Sequence, residues 1–319
     1  MKHLNFLLVF VCAFGMAQIQ TPQPSPSTKV EQVVGLTKVT LEYSRPAMRG
    51  RTIMGELIPM GELWRAGANK NSTLSFSDDV KVGGKELKQG TYAIFIRPGV
   101  SMWEVFFYTQ IENWGIPEKW DTKSIAATVE VETQTLKEAV ESYTISVDDL
   151  NNNGATINFK WENTLVSIPL EVPTHSKTMA SIKETMKGDP KAGDYYSAAI
   201  YYRQSNQDLN QAKKWIAKAI EMDSGKYWMY RQQSLILAEL NEKEAAVAAA
   251  KVSLKLADEA GNKDYVRLNT KAIEEWSNSF IIEFKKPPKG GFFMKYYFIL
   301  DLYRTFKTRP KITRKVPKR

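Results

Sequence analysis

Cysteine is almost missing: the 319 residues contain one, Cys12, and the only histidines are His3 and His175. Cys12 and His3 both fall in "MKHLNFLLVFVCAFGMAQIQ". There one lysine precedes an apolar run from Leu4 to Phe14, and Gly15 and Ala17 stand at the −3 and −1 positions of a cleavage site. Residues 1–17 therefore read as a secretory signal, too short for a comfortable transmembrane helix. Cleavage after Ala17 leaves no cysteine and a single histidine. That excludes disulfides, a thiolate nucleophile, Cys-ligated metals and zinc sites built on paired histidines. A Ser–His–Asp apparatus would rest on His175 alone. Val9, Phe10 and Val11 lack the small residues of a lipoprotein signal, so lipidation at Cys12 is not expected.

No Gly-rich phosphate loop follows a strand, so nucleotide chemistry has no support. Acidic charge is scarce only at one end. Lys285–Arg319 holds 12 Lys/Arg against one acid, Asp301, or +11, so the remainder of the +9 chain carries 9 − 11 = −2. No nucleic-acid partner is expected for the folded body. The tail from 277 to 319 stays open between a membrane-surface segment, an arm that touches anionic surfaces, and non-native sequence.

After a Pro-rich linker at 18–28, residues 29–172 read as short strands. "KVEQVVGLTKVTLEYS" gives two runs joined near Gly35. In "TYAIFIRP" Tyr92, Ile94 and Ile96 alternate with Ala93, Phe95 and Arg97. "MWEVFFYT" and "ATINFKWE" align Trp103, Val105, Phe107 and Ile157, Phe159, Trp161. Such alternation predicts half-buried strands. Turn signals fall at Asp78-Asp79, Gly83-Gly84, Gln89-Gly90, Pro98-Gly99, Asn153-Gly154 and Glu162-Asn163. Roughly nine or ten strands of this kind predict an antiparallel β-sandwich or a related barrel.

From 173 to 276 the chain turns Ala-rich and helical. Gly188 is placed to stop a first helix, Asp189-Pro190 to start the next, and Asn241 with Glu244 resembles a capping box. Ala212, Ile216 and Ala219 recur 34 residues later as Ala246, Ala250 and Ser253, which is the tetratricopeptide period. The fold class expected is α+β as two domains: an antiparallel β-sandwich followed by a small α-helical, tetratricopeptide-like repeat domain.

The segment "SRPAMRGRTIMGELIPMGELWRAGANKNS", from Ser44 to Ser72, sets Arg45, Arg49, Arg51 and Arg65 among glycines at 50, 55, 61 and 67. Guanidinium groups bind carboxylate or phosphate in bidentate fashion, and Trp64 beside Arg65 offers a stacking face. Arg45-Pro46 and Pro59 point instead to a rigid connection anchored by its arginines to buried carbonyls, which is the commoner outcome. Arg45, Arg51, Trp64, Arg65 and Asn69 are thus candidates for a sugar or anion site. Trp114 and Trp120, with Glu112 and Asp121, form a second candidate, a sugar platform, in "TQIENWGIPEKWD"; rings that fold back to plug the sandwich edge are the commoner outcome. "DLNNNGAT" mimics the start of a calcium loop, but the glutamate position is Lys160, so a hairpin turn is expected. No catalytic residue, metal or cofactor is assigned.

"YSRPAMRGRTIMG", "LWRAGAN", "VKVGGKELKQGTYAIFIRP" and "WENTLVSIPL" resemble, in order and spacing, the exported bacterial domain-of-unknown-function family numbered 2911. The likeness covers about residues 29–172, and members with a tetratricopeptide-like C-terminal region look similar through about Trp276. It implies an exported protein with a compact β domain and supplies no catalytic residues. The reading as a whole is an exported, non-enzymatic binding or scaffolding protein of the periplasm or cell envelope, or the extracellular space. Its helical repeats would receive a peptide or protein partner. The alternative is a carboxylate-dependent carbohydrate-active or other envelope hydrolase.

Overall fold

A computed structural model describes residues 21–283, with side chains described as far as residue 277. The expected signal sequence and most of the basic tail lie outside the described residues. Two compact units divide between Glu184 and Thr185.

The first unit contains β1 (Ser27–Val34), β2 (Thr37–Ser44), β3 (Thr73–Phe76), β4 (Val80–Val82), β5 (Lys85–Leu87), β6 (Gly90–Pro98), β7 (Met102–Tyr108), β8 (Ile125–Asn151), β9 (Gly154–Glu171) and helix α1 (Thr174–Thr185). They form one nine-stranded sheet in the order β1-β2-β3-β6-β7-β8-β9-β4-β5, antiparallel throughout. β8 belongs to both halves. Its residues from Ile125 to Glu132 pair with β7, and those from Thr133 to Asn151 pair with β9. Turning at β8 brings the apolar faces of the halves into one core, with Leu41, Ile94 and Phe107 from one side and Ile145, Phe159 and Trp161 from the other. Tyr43 joins the halves directly: its hydroxyl donates to the Ile145 carbonyl at 3.0 Å and accepts from the Ile145 amide at 2.9 Å.

The alternation in "TYAIFIRP" predicts one wet face for β6, and the structure differs. Ala93 and Phe95 are as buried as Ile94 and Ile96. With Phe106 and Tyr108 of β7 they form a second cluster, covered by Leu63, Ile111, Trp120 and Ile125. The turn expected at Glu162-Asn163 is also absent. β9 runs through it, with Glu162 at φ 51° absorbing the bend opposite the irregular stretch of β8 between Thr135 and Thr144. The Asn153-Gly154 signal does mark the β8–β9 hairpin. Helix α1 is tied to the strands: Thr174 Oγ1 accepts from the Leu36 amide at 3.2 Å, and Lys177 pairs with Asp78.

The second unit comprises α2 (Ala192–Gln204), α3 (Leu209–Met222), α4 (Tyr227–Glu239), α5 (Lys243–Glu259) and α6 (Lys263–Glu283). The recurring Ala212, Ile216, Ala219 and Ala246, Ala250, Ser253 are all fully buried. Trp215 and Tyr202 pack edge to face, centroids 4.6 Å apart. Two helix starts differ from expectation. α2 begins at Ala192, where Asp194 accepts from the Lys191 amide at 2.8 Å, leaving Asp189-Pro190 in the connection. Asn241 sits at φ 62° in the turn between α4 and α5, and Glu242 is the residue before α5. α6 continues to Glu283, past the change of composition at 277.

Candidate functional site

The arginine-rich segment carries the chain from β2 to β3 along one end of the β unit. Main-chain bonds hold it there. The Met48 amide donates to the Glu141 carbonyl at 2.8 Å, the Tyr143 amide to Pro46 at 2.9 Å, and Trp64 and Ile96 exchange two bonds of 2.7 and 2.8 Å. The Glu162 carboxylate accepts from the amides of Ile53 and Met54 at 3.3 and 3.1 Å. Gly67, at φ 155°, is required by close packing: a Cβ there would stand 2.7 Å from Ser72 Oγ and 3.1 Å from the Ser44 carbonyl.

Each arginine of the segment donates to main-chain carbonyls. Arg45 reaches Tyr143 at 3.1 Å and Thr144 Oγ1 at 2.7 Å. Arg49 reaches Pro24 at 2.8 Å. Arg51 reaches Met48 and Ala47 at 2.8 and 2.6 Å, and Arg65 reaches Asn69 at 3.2 Å. A guanidinium carries more N–H donors than these bonds consume. The donated bonds fix each side chain while leaving positive charge and donors at the surface.

Trp64 is the hinge of the site. Its indole N–H donates to Gly67 at 3.2 Å. Its ring lies 5.8 Å from Trp161 at 25°, a stack, and 4.9 Å from Tyr143, edge to face. Tyr143 is fully buried, and its hydroxyl has no partner among the described residues. Burial pushes its phenol well above the usual range, and the nearby Tyr43 adds to this. Beside the tryptophans opens a cavity of about 360 Å³, lined by Arg49, Arg51 and Arg65, by Trp64, by Leu57, and at its base by the otherwise buried Trp161. None of its lining residues is Asp or Glu. Pro24 and Ser25 close another side, held by Arg49 and by Asn69, whose amide donates to Ser25 at 3.1 Å and to Ser44 Oγ at 3.3 Å.

The structure thus brings Arg51, Trp64 and Arg65 to one cavity, with Asn69 bracing its wall and Arg45 turned to β8. The two loop tryptophans part company. Trp120 stacks on Tyr108 with centroids 4.6 Å apart and meets Phe95 and Phe106 edge-on. Trp114 is 73% exposed. Their acidic neighbours are occupied: Glu112 pairs with Lys70 at 3.1 Å, and Asp121 accepts from the Lys123 amide and the Ser124 hydroxyl. No group of three or more His, Cys, Asp or Glu able to hold a metal ion occurs among the described residues.

Trp161 is the site residue that local sequence reading could not find. It belongs to the alternating pattern of β9 and reaches Trp64 only through the closure at β8. Arg49 carries a weak local signal, its place in the arginine run.

The site defines a class: an antiparallel β domain with a cavity lined by three arginines and Trp64. The family model described as "Protein of unknown function (DUF2911)" matches residues 25–170, which supports the resemblance over that unit. No curated protein and no solved structure matches the chain.

Proposed function

We propose that the chain is an exported, non-enzymatic binding protein of the periplasm or cell envelope, whose β unit holds a small organic anion in the arginine–tryptophan cavity. One observation carries this: three arginines and Trp64, itself stacked on buried Trp161, line one cavity without a carboxylate. Arginine forks suit carboxylate and phosphate, and the partly exposed Trp64 offers apolar surface to the body that carries them. Export rests on the N-terminal sequence. The helical unit is read as tetratricopeptide-like from its 34-residue recurrence, with a peptide or protein as partner.

The arginine cavity does not suit a carboxylate hydrolase, which needs two acids across a cleft, because its lining contains no acid. Thermal-shift titration of the full chain with acetate, phosphate, glucuronate and uncharged glucose tests the reading. A ligand at 100 times its Kd should stabilise by about 2.7 kcal/mol. Glucuronate should shift the melt, glucose should not, and Arg65→Ala should abolish the shift while remaining folded. An unchanged melt with every anion would defeat the proposal.

A further inference from the structure

The arginine cavity has a neighbour. A second cavity of about 320 Å³ shares Leu57, Ile58, Trp64 and Arg65 with the first and adds Leu63 and Ile116. The first is cationic and the second mainly aliphatic, and they meet along Leu57 and Arg65. Leu57 is 43% and Ile116 49% exposed, so both walls present hydrocarbon to water beside fixed positive charge.

The walls are rigid. The Ile58 amide donates to Ile53 at 2.9 Å and the Gly55 amide to Ile58 at 2.9 Å, a tight loop that holds Leu57 up. On the other side buried Asn71 pins the loop bearing Ile116. Its main-chain amide donates to Asn113 at 3.3 Å, and its side-chain nitrogen is oriented to the carbonyls of Asn113 and Gly115 at 3.1 and 3.0 Å. Between the walls Arg65 lies against Gly115, where a Cβ would approach Nη1 to 3.3 Å. Apolar side chains held in water at the mouth of a cationic pocket favour a ligand that covers them.

We infer that the two cavities are subsites of one site, and that its ligand is an aliphatic carboxylate. The acid group sits against Arg49, Arg51 and Arg65. The hydrocarbon body crosses Leu57 into the Ile58–Leu63–Ile116 cavity. Glu62, the one acid lining that second cavity, disfavours a second negative charge at the far end of the ligand. The inference rests on the anion reading of the first cavity and adds the identity of the ligand's body.

The test is isothermal titration of the full chain, followed in parallel by tryptophan fluorescence, with straight-chain carboxylates from acetate to decanoate, below their micelle concentrations. Controls are 1-octanol, octyl phosphate and the dicarboxylate suberate. Affinity should climb about two- to fourfold per methylene and level off once the second cavity is full. Octanoate should bind at least tenfold tighter than 1-octanol and than suberate. Ile116→Ser, and separately Leu57→Ser on the opposite wall, should flatten the climb in proteins whose melting curves stay cooperative. Acetate and octanoate binding alike would overturn the inference and leave the anion site standing. Octanol or suberate matching octanoate would overturn it too, and octyl phosphate binding tenfold tighter than octanoate would replace the carboxylate with a phosphate headgroup. Failure to bind a straight-chain carboxylate of any length would overturn the inference, and the anion reading falls with it only if phosphate and glucuronate also leave the melt unchanged.

Discussion

The two units solve the same packing problem with opposite materials. The β unit fills its interior with large rings: Trp103, Trp161, Tyr108, Tyr143, Phe95, Phe107 and Phe159 are its largest fully buried side chains. The helical unit buries Ala198, Ala199, Ala212, Ala219, Ala246 and Ala250, so that helix backbones approach closely. Sheets that face each other leave a wide gap for side chains to fill, whereas helices in contact leave little. Truncation should therefore hurt the first unit, and enlargement the second.

The largest effect is expected from Trp161→Ala. It removes a ring from the core and the partner stacked on Trp64, and should cost about 3–5 kcal/mol. Denaturant unfolding with segment-resolved hydrogen exchange should locate the loss in residues 27–171. Next comes Ala250→Leu in the fully buried face of α5, where overpacking should cost about 1–3 kcal/mol. A neutral Ala250→Leu would break the comparison, because it would mean that the helices have room to spare.

The smallest effect is electrostatic and belongs to the outer face of the β unit. Asp148 is held below the usual carboxylate range by a hydrogen bond from Ser146, and by Asn158 and Lys160 against the opposing cost of burial. A depressed native pKa contributes stability that is complete above the unfolded value, about pH 4, and is lost as pH falls through the lower native value. Asp148→Asn should be slightly less stable than the parent at neutral pH, and the gap should close in acid. A gap independent of pH would show that the carboxylate's charge contributes nothing.

Legibility in the sequence followed the same division. Strands with strict alternation, such as Ile157, Phe159 and Trp161 in β9, show in composition alone. β8 does not, because "LKEAVES" has the makings of a helix and the register slips between Thr135 and Val140 and again between Val140 and Thr144. Of this stretch Val140 pairs with β9 while Glu141 and Ser142 pair with Met48 and Ala47 of the arginine segment, and such pairing is not local. The site divides likewise. Arg51, Trp64 and Arg65 lie in one legible run, while Trp161 joins them through tertiary closure. Trp120 is a candidate by its place in a tryptophan-bearing loop, and the cluster of Phe95, Phe106 and Tyr108 claims it. The recurrence of small residues was readable because helix packing is written in short spacings.

The bond between Tyr43 and Ile145 spans 102 residues of chain, and that between Arg45 and Tyr143 spans 98. A chain made from its N-terminus must wait for these partners. β1, β2, β3, β6 and β7 can assemble early, but their apolar face stays open until the distal half of β8 emerges and folds over it. Contacts so distant in sequence close slowly. Folding in chain order would therefore leave the apolar face of the first half uncovered until β9, which brings Phe159 and Trp161 to the core, is also in place.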